Sequence, residues 1–292
     1  MKKSKNIITR FIQEFSKEFL TNYIYSSILF LRFRNKFKRS INRVKSSKVY
    51  SNNLDKINIC EYKITSQNNE DGIINNIFNK IPNKKIFIEI GISYYEFNSL
   101  NLINNGWSGL IIEQNLDECI LLKRLLDFYF SKSKVEIKNK SVNKDNINNL
   151  LFNIQKHNHI DFFSIDIDGN DFWVLKNLDL TNINCVCLEY NHWLGSNVKK
   201  TIPYNEEHNY FIDNGFFGAS LIAYDDLMNK KDFKLIAIDS SGTNAFFVKS
   251  KFSYLFEVLN PIKSFKSVGR LYSEEQRKKI FKNISNFNFI NV

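Results

Sequence analysis

The chain has 292 residues, room for one large domain with an extension, and its 43% hydrophobic and 24% charged content is that of a globular protein with a sizeable core rather than a disordered or fibrous one. Its net charge of +11 resides entirely in residues 1–48, where thirteen Lys and Arg stand against Glu14 and Glu18, so residues 49–292 are balanced. A balanced body carries no overall nucleic-acid signature, and any electrostatic partner belongs to the N-terminal arm.

Within that arm, Ile7, Ile8, Phe11, Ile12, Phe15, Phe19 and Leu20 recur at spacings of three and four, which predicts amphipathic helix. Two readings stand: a helix packed on the body with a solvated basic face, or a peripheral anchor to anionic lipid through residues 1–48. The apolar stretch "YIYSSILFLRF" is too short to cross a bilayer, and no transmembrane segment is read. An Asn-rich stretch at 49–58 serves as linker, which sets residues 1–58 as a basic helical extension and linker. In "SQNNEDGI", Ser66 and Glu70 suit a helix start, while Gln67, Glu70 and Asp71 are alternatives for closing over a ligand.

From residue 84 strands and helices alternate. "KIFIEIG" (85–91) and "GLIIEQN" (109–115) are β-branched runs, and "DECILLKRLLDFYF" (117–130) reads as a helix started by Asp117. "KVEIKNKSV", a helix near 145–156, "IDFFSIDID", the helical "DFWVLKNL" and "INCVCLEYN" follow. Apolar strands alternating with helices predict a mainly parallel sheet covered on both faces. "FKLIAID" (233–239) and "NAFFVKS" (244–250) are joined only by "SSGT", too short for a parallel crossover, so the last strand is antiparallel. The α/β domain spans 59–252, and a helical tail occupies 253–292. The segment "TIPYNEEHNYFIDNGFFGASL" before the hairpin is long enough for a substrate lid. Cys60, Cys119, Cys185 and Cys187 lack metal-ligand spacing and read as free thiols, as expected in a reducing cytoplasm.

Ligands of open α/β sheets bind beyond the carboxyl ends of the strands. Standing there are Glu89 and Gly91, Glu113, Ser141 and Val142, then Asp166, Asp168, Gly169 and Asn170, then Glu189, Tyr190 and Asn191. Glu113 ends the second strand and is placed to accept hydrogen bonds from both hydroxyls of a ribose, with Gly91 letting an adenosine approach the backbone. No phosphate-cradling glycine loop or Walker lysine is present, which argues against a nucleoside triphosphate. Asp166 and Asp168 could orient an ammonium, accept a proton, or ligate a divalent cation with Asn170 or Asn191, and such oxygen donors suit Mg rather than Zn. The plain alternative for Asp168 is a cap on a helix starting near Asn170, with Gly169 making the turn. Of the four histidines, His192 follows strand five and is the candidate to face a substrate; Trp173 reads as core.

"FIEIG", "NGWSGLIIEQN", "DFFSIDIDGNDFWVL", "LEYN" and "GTNAFFV", with "SQNNEDGIINNIF" upstream, resemble the FkbM-type S-adenosylmethionine-dependent methyltransferases in order, over residues 66–250. The resemblance implies a Rossmann-like class I methyltransferase sheet. It also implies S-adenosylmethionine as donor and a small-molecule or glycan acceptor methylated on oxygen. By position it puts Glu89 and Gly91 on the family's first cofactor motif, Glu113 on its ribose-binding acid, and Asp166 with Asp168 on its fourth-strand acids. With Ser141 and His192 added from their places after strands three and five, Glu89, Gly91, Glu113, Ser141 and Asp166 are the expected cofactor residues, and Asp166, Asp168 and His192 the expected catalytic ones. The loop "ISYYEFN" departs from the family, carrying two tyrosines where relatives have a glycine and an acid. That departure motivates a rival reading as a catalytically silent binding fold; a further rival works chiefly through the arm at a membrane or nucleic acid. Oligomeric state is left open by these features.

Overall fold

Residues 60–157, 159–208, 215–267 and 272–292, with Asn35, are described by the computed structural model. The expected helices of the arm and the 49–58 linker lie outside the described residues, Asn35 apart.

A seven-stranded sheet organises the body. Its strands are β1 (Ile86–Ile90), β2 (Ser108–Glu113), β3 (Val135–Asn139), β4 (Ile160–Ile165), β5 (Ile183–Glu189), β7 (Phe233–Ile238) and β8 (Asn244–Lys249), in the order β3-β2-β1-β4-β5-β8-β7. Strands β1 to β5 pair in parallel. β8 runs antiparallel to β5 on one side and β7 on the other, so the short loop after β7 produces the reversed strand expected from its length. Every residue of β4 is buried, and all but the last of β5, because helices cover both faces of a parallel sheet. The core runs from Ile88 and Ile112 through Phe163, Ile165 and Val186 to Phe247.

Helices α1 (Glu70–Lys80), α2 (Leu100–Asn104), α3 (Leu116–Tyr129), α4 (Ile147–His157), α5 (Asp171–Asn177) and α6 (Leu221–Lys230) connect these strands. The start of α1 is stapled by Asp71, whose carboxylate accepts the amides of Ile64, Thr65 and Ser66 and the Ser66 hydroxyl, while Ser66 Oγ accepts the Asp71 amide. Ser66 thus serves the helix start as its plain reading has it, whereas Asp71, read as closing over a ligand, is consumed at that helix start instead. α3 is capped by Asn115, not Asp117: Asn115 Oδ1 accepts the amides of Asp117 and Glu118, leaving Asp117 in the first turn, where its charge favours the helix dipole.

The C-terminal region is only partly helical. α7 (Pro261–Ser264) and α8 (Glu274–Ile284) are followed by β9 (Ile290–Asn291), which pairs antiparallel with β6 (Lys200–Thr201). α8 starts at a Ser273–Gln276 capping box and packs Ile280 against Trp193 and Phe217. None of the four cysteines forms a disulfide with another, and Cys119, Cys185 and Cys187 are buried. Among the described residues no helix is long and apolar enough to cross a membrane.

Candidate functional site

The order of strands reverses between β1 and β4, and there a cavity of about 600 Å³ opens over the carboxyl ends of β1 to β4. Glu89, Gly91, Glu113, Ser141, Asp166 and Asp168 all line it, so six of the residues picked from sequence are brought to one wall system. His192 is not among them.

Glu113 ends β2 with its carboxylate held on both sides: Oε2 accepts the Ile92 amide at 3.0 Å and Oε1 the Asn115 amide at 2.6 Å. Each oxygen retains a second lone pair, and the residue lines the cavity. Glu89 is buried and spent differently, accepting the amides of Asn98 and Ser99 at 2.9 and 2.7 Å. Burial raises its pKa to about 7, outweighing those two bonds. Glu89 thus anchors the far end of "ISYYEFN", while the Tyr94 amide donates to Glu118 and Lys63 pairs with Glu96. The two tyrosines part company: Tyr94 is buried, and Tyr95 is 42% exposed and lines the cavity.

Gly91 has φ 77°, and a Cβ there would stand 1.6 Å from the Asp166 carbonyl oxygen. The glycine is demanded by the neighbouring peptide as well as by its left-handed backbone. Its amide donates to Ile112 O, and the Asp166 amide donates to Ile90 O, so β1, β2 and β4 are knitted together at the cavity floor.

The acids of "DIDGND" divide into distinct jobs. Asp171 accepts the amides of Ile167 and Gly169, each at 2.9 Å, and so pins the turn. Asp168 is not the cap expected as its plain alternative: the N-cap residue is Asn170, which makes no side-chain cap, and Asp168 itself takes the left-handed φ of 55° while opening to the cavity. Asp166 Oδ1 is shielded from solvent and accepts no hydrogen bond from a described residue. Burial first, then the charges of Asp168, Asp171 and Glu89, holds its carboxyl well above the usual range. Asp168 is raised to about 6, by desolvation and then by Asp171 and Glu113.

His192 sits instead among aromatic rings, 4.6 Å from Trp193 and 6.4 Å from Tyr272 between centroids, and burial lowers its pKa to about 3. The residue before it explains the placement: Asn191 donates to Gly215 O and Phe217 O and accepts the Trp193 amide, tying this turn to the body. The histidine at the cavity is His208, in the segment read as a lid; Glu206 lines it too, and residues 209–214 lie outside the described residues. His208 packs its ring where a Cβ on Gly169 would be, its Nε2 has no partner among the described residues, and burial lowers its pKa. No periodicity or spacing singles out His208, because a loop residue reaches the site only through tertiary folding. Trp173 donates Nε1–H to Ile202 O and packs on the core, as expected.

The lining is strongly acidic: Glu89, Glu96, Glu113, Glu118, Asp166, Asp168 and Glu206 face it, against Lys140. Such a cavity favours a cationic ligand and repels phosphates.

A parallel set of five strands, the reversal between β1 and β4, and an antiparallel strand inserted beside the edge strand decide the architecture. This is the class I methyltransferase sheet. No protein-family profile matches the chain. It is similar to a MATH and LRR domain-containing protein of Plasmodium falciparum (isolate 3D7), 22% identical over 174 residues that make 56% of this chain and 2% of that protein. The chain thus spans a very small part of that relative's length. Similar solved structures include the N-terminal domain of EvdMO1 with SAH bound, at 12% identity, covering 60% of this chain and 76% of that one with a TM-score of 0.40. Magnesium protoporphyrin IX methyltransferase (ChlM) from Synechocystis PCC 6803 with bound SAM is 7% identical, covering 56% and 69%, with a TM-score of 0.35. A protein in the NADB-Rossmann superfamily from Streptococcus agalactiae is 13% identical over 70% and 79%, with a TM-score of 0.39. At those scores the neighbours add nothing to the strand order, on which the architecture rests.

Proposed function

We propose that the protein is an S-adenosylmethionine-dependent methyltransferase of the FkbM type that methylates a hydroxyl of a small molecule or glycan. The observation that carries this reading is the acidic cavity over β1, β2 and β4, with Glu113 presenting its free lone pairs at the end of β2. The donor, when bound, supplies an electrophilic methyl group on a sulfonium. Glu113 would hold the ribose hydroxyls, Gly91 and Ser141 would flank the nucleoside, and Asp166 and Asp168 would lie toward the methyl group. The acids stabilise a sulfonium cation, while the scarcity of lining cations disfavours dinucleotides. Transfer would join the methyl carbon to the acceptor oxygen as the C–S bond breaks with its electron pair on sulfur, and the hydroxyl proton would pass to a base of this chain. His208 is the candidate for that last task, because it lines the cavity and burial holds its pKa below the ordinary value, which favours the neutral ring.

Calorimetry with S-adenosylhomocysteine tests the reading. The folded wild type should bind, and Glu113→Ala should weaken binding by about tenfold to a hundredfold, the equivalent of one or two charge-assisted hydrogen bonds. A folded wild type that binds none of it would refute the assignment. Binding without transfer to any hydroxyl acceptor would mark the silent, ligand-binding version of the fold. Contact with anionic lipid through residues 1–48 is proposed from their charge alone; equal flotation with liposomes by the full chain and by residues 49–292 would eliminate it.

A further inference from the structure

We propose that Lys63 is a positioning residue for the donor: paired with Glu96, it joins the loop "ISYYEFN" to the segment before α1 as one wall of the cavity, set against the amino-acid end of the donor. This role rests on the methyltransferase reading. It gives a use to the loop that departs from the family pattern.

Lys63 is not among the residues that line the cavity, whereas Gln67, Tyr95 and Glu96 are. Its ammonium donates to the Glu96 carboxylate and, at 2.6 Å, to the Gln67 carbonyl oxygen. One side chain thus bridges two lining residues that are distant in the sequence. With the Lys63 and Glu96 side chains only 27% and 18% exposed, the pair is shielded enough to hold more firmly than a fully solvated one.

Both ends of the bridge rest on fixed backbone. Behind Lys63, the amides of Ile64, Thr65 and Ser66 are taken by Asp71. The Gly72 amide donates to Tyr62 O, and a Cβ on Gly72 would stand 1.9 Å from Cys60 O, so this segment lies directly on α1. In the loop, the Glu96 amide closes a turn onto Ser93 O at 3.0 Å. The Tyr94 amide is held by Glu118 of α3 at 2.6 Å, and Glu89 takes the amides of Asn98 and Ser99. The loop is therefore fixed to α3 and β1 from within, and Lys63 fixes its side toward α1. Because Tyr95 immediately precedes Glu96, the pair also sets where the Tyr95 ring stands in the wall.

The sheet indicates which end of the donor meets this wall. Glu113 would take the ribose at the end of β2, with Ser141 beyond it at the end of β3. The loop leaves β1, about 4.8 Å nearer β4. A chain extending from the ribose toward Asp166 on β4 passes over β1, so the amino-acid end runs along the wall while the adenosine stays on the β2 and β3 side.

Isothermal titration calorimetry of the full chain tests this with two ligands: S-adenosylhomocysteine, and 5′-methylthioadenosine, which keeps the adenosine and sulfur but lacks the amino-acid end. Lys63→Met should weaken S-adenosylhomocysteine by about threefold to tenfold and leave 5′-methylthioadenosine within about twofold, while Lys63→Arg keeps both within about twofold. The melting temperature of Lys63→Met should stay within about 2 °C of wild type, because a partly exposed pair adds little to global stability. The double variant Lys63→Met with Glu96→Gln should bind S-adenosylhomocysteine little worse than Glu96→Gln alone, since the lysine acts through that carboxylate. Unchanged affinity in Lys63→Met, equal losses for the two ligands, or additive losses in the double variant would each overturn the role while leaving the methyltransferase reading in place. A folded wild type that binds neither ligand overturns both.

Discussion

Gly91→Ala probes the cavity floor most directly. The added Cβ would begin 1.6 Å from the Asp166 carbonyl oxygen, so this peptide must retreat by about 1.8 Å to reach an ordinary 3.4 Å contact. That oxygen belongs to the residue whose amide bonds Ile90, and residue 91 itself bonds Ile112, so the retreat strains the last rungs joining β1 to β4 and β2. Left-handed backbone adds about 1–2 kcal/mol, overpacking about 1–3 kcal/mol, and a weakened backbone bond about 1 kcal/mol. The sum, roughly 3–6 kcal/mol, corresponds to a Tm lower by roughly 5–20 °C in a chain of this size. Differential scanning calorimetry measures it. Gly106→Ala is the matched control, since residue 106 has φ 79° with nothing within 4 Å and suffers only the backbone strain of about 1–2 kcal/mol. Equal losses in the two variants would refute the close-approach argument.

Asp71→Ala should destabilise by about 3–5 kcal/mol in urea titrations, because three backbone amides and the Ser66 hydroxyl lose their acceptor in a buried corner. Asn191→Ala should lose about 2–4 kcal/mol by the same measurement and loosen the packing of Trp193, read as a red-shifted tryptophan emission. Glu89 gives a pH dependence of defined sign. Its folded pKa of about 7 lies above the ordinary 4.5, so its contribution to stability is full below pH 4.5 and is lost as pH rises to 7, by about 3 kcal/mol at most. Urea midpoints of wild type and Glu89→Gln should therefore diverge between pH 5 and 7.5, and parallel profiles would contradict the assignment.

Much of the sheet was legible because its causes are local. β-branched runs ended by Gly91 and Glu113, and the short connection between β7 and β8, needed no knowledge of distant residues to predict strands and a reversed hairpin. The helix starts were less so. Asp117 and Asn115 are both good caps in sequence, and only backbone geometry shows which oxygen reaches two amides. β6 and β9 were not foreseen, because two residues per strand carry no periodicity.

The sequence by itself determined that a mostly parallel sheet would line up acids at one edge, because alternating strands and helices leave their polar ends together. It could not tell equivalent acids apart. Whether both oxygens of a carboxylate at a strand end are consumed by backbone amides, as with Glu89 and Asp171, or one is left unmatched, as with Asp166 Oδ1, depends on which peptides fold over it. Tertiary structure alone sent His192 into an aromatic pocket and brought His208 to the cavity, since loop side chains are positioned by long-range packing rather than by their neighbours in the chain.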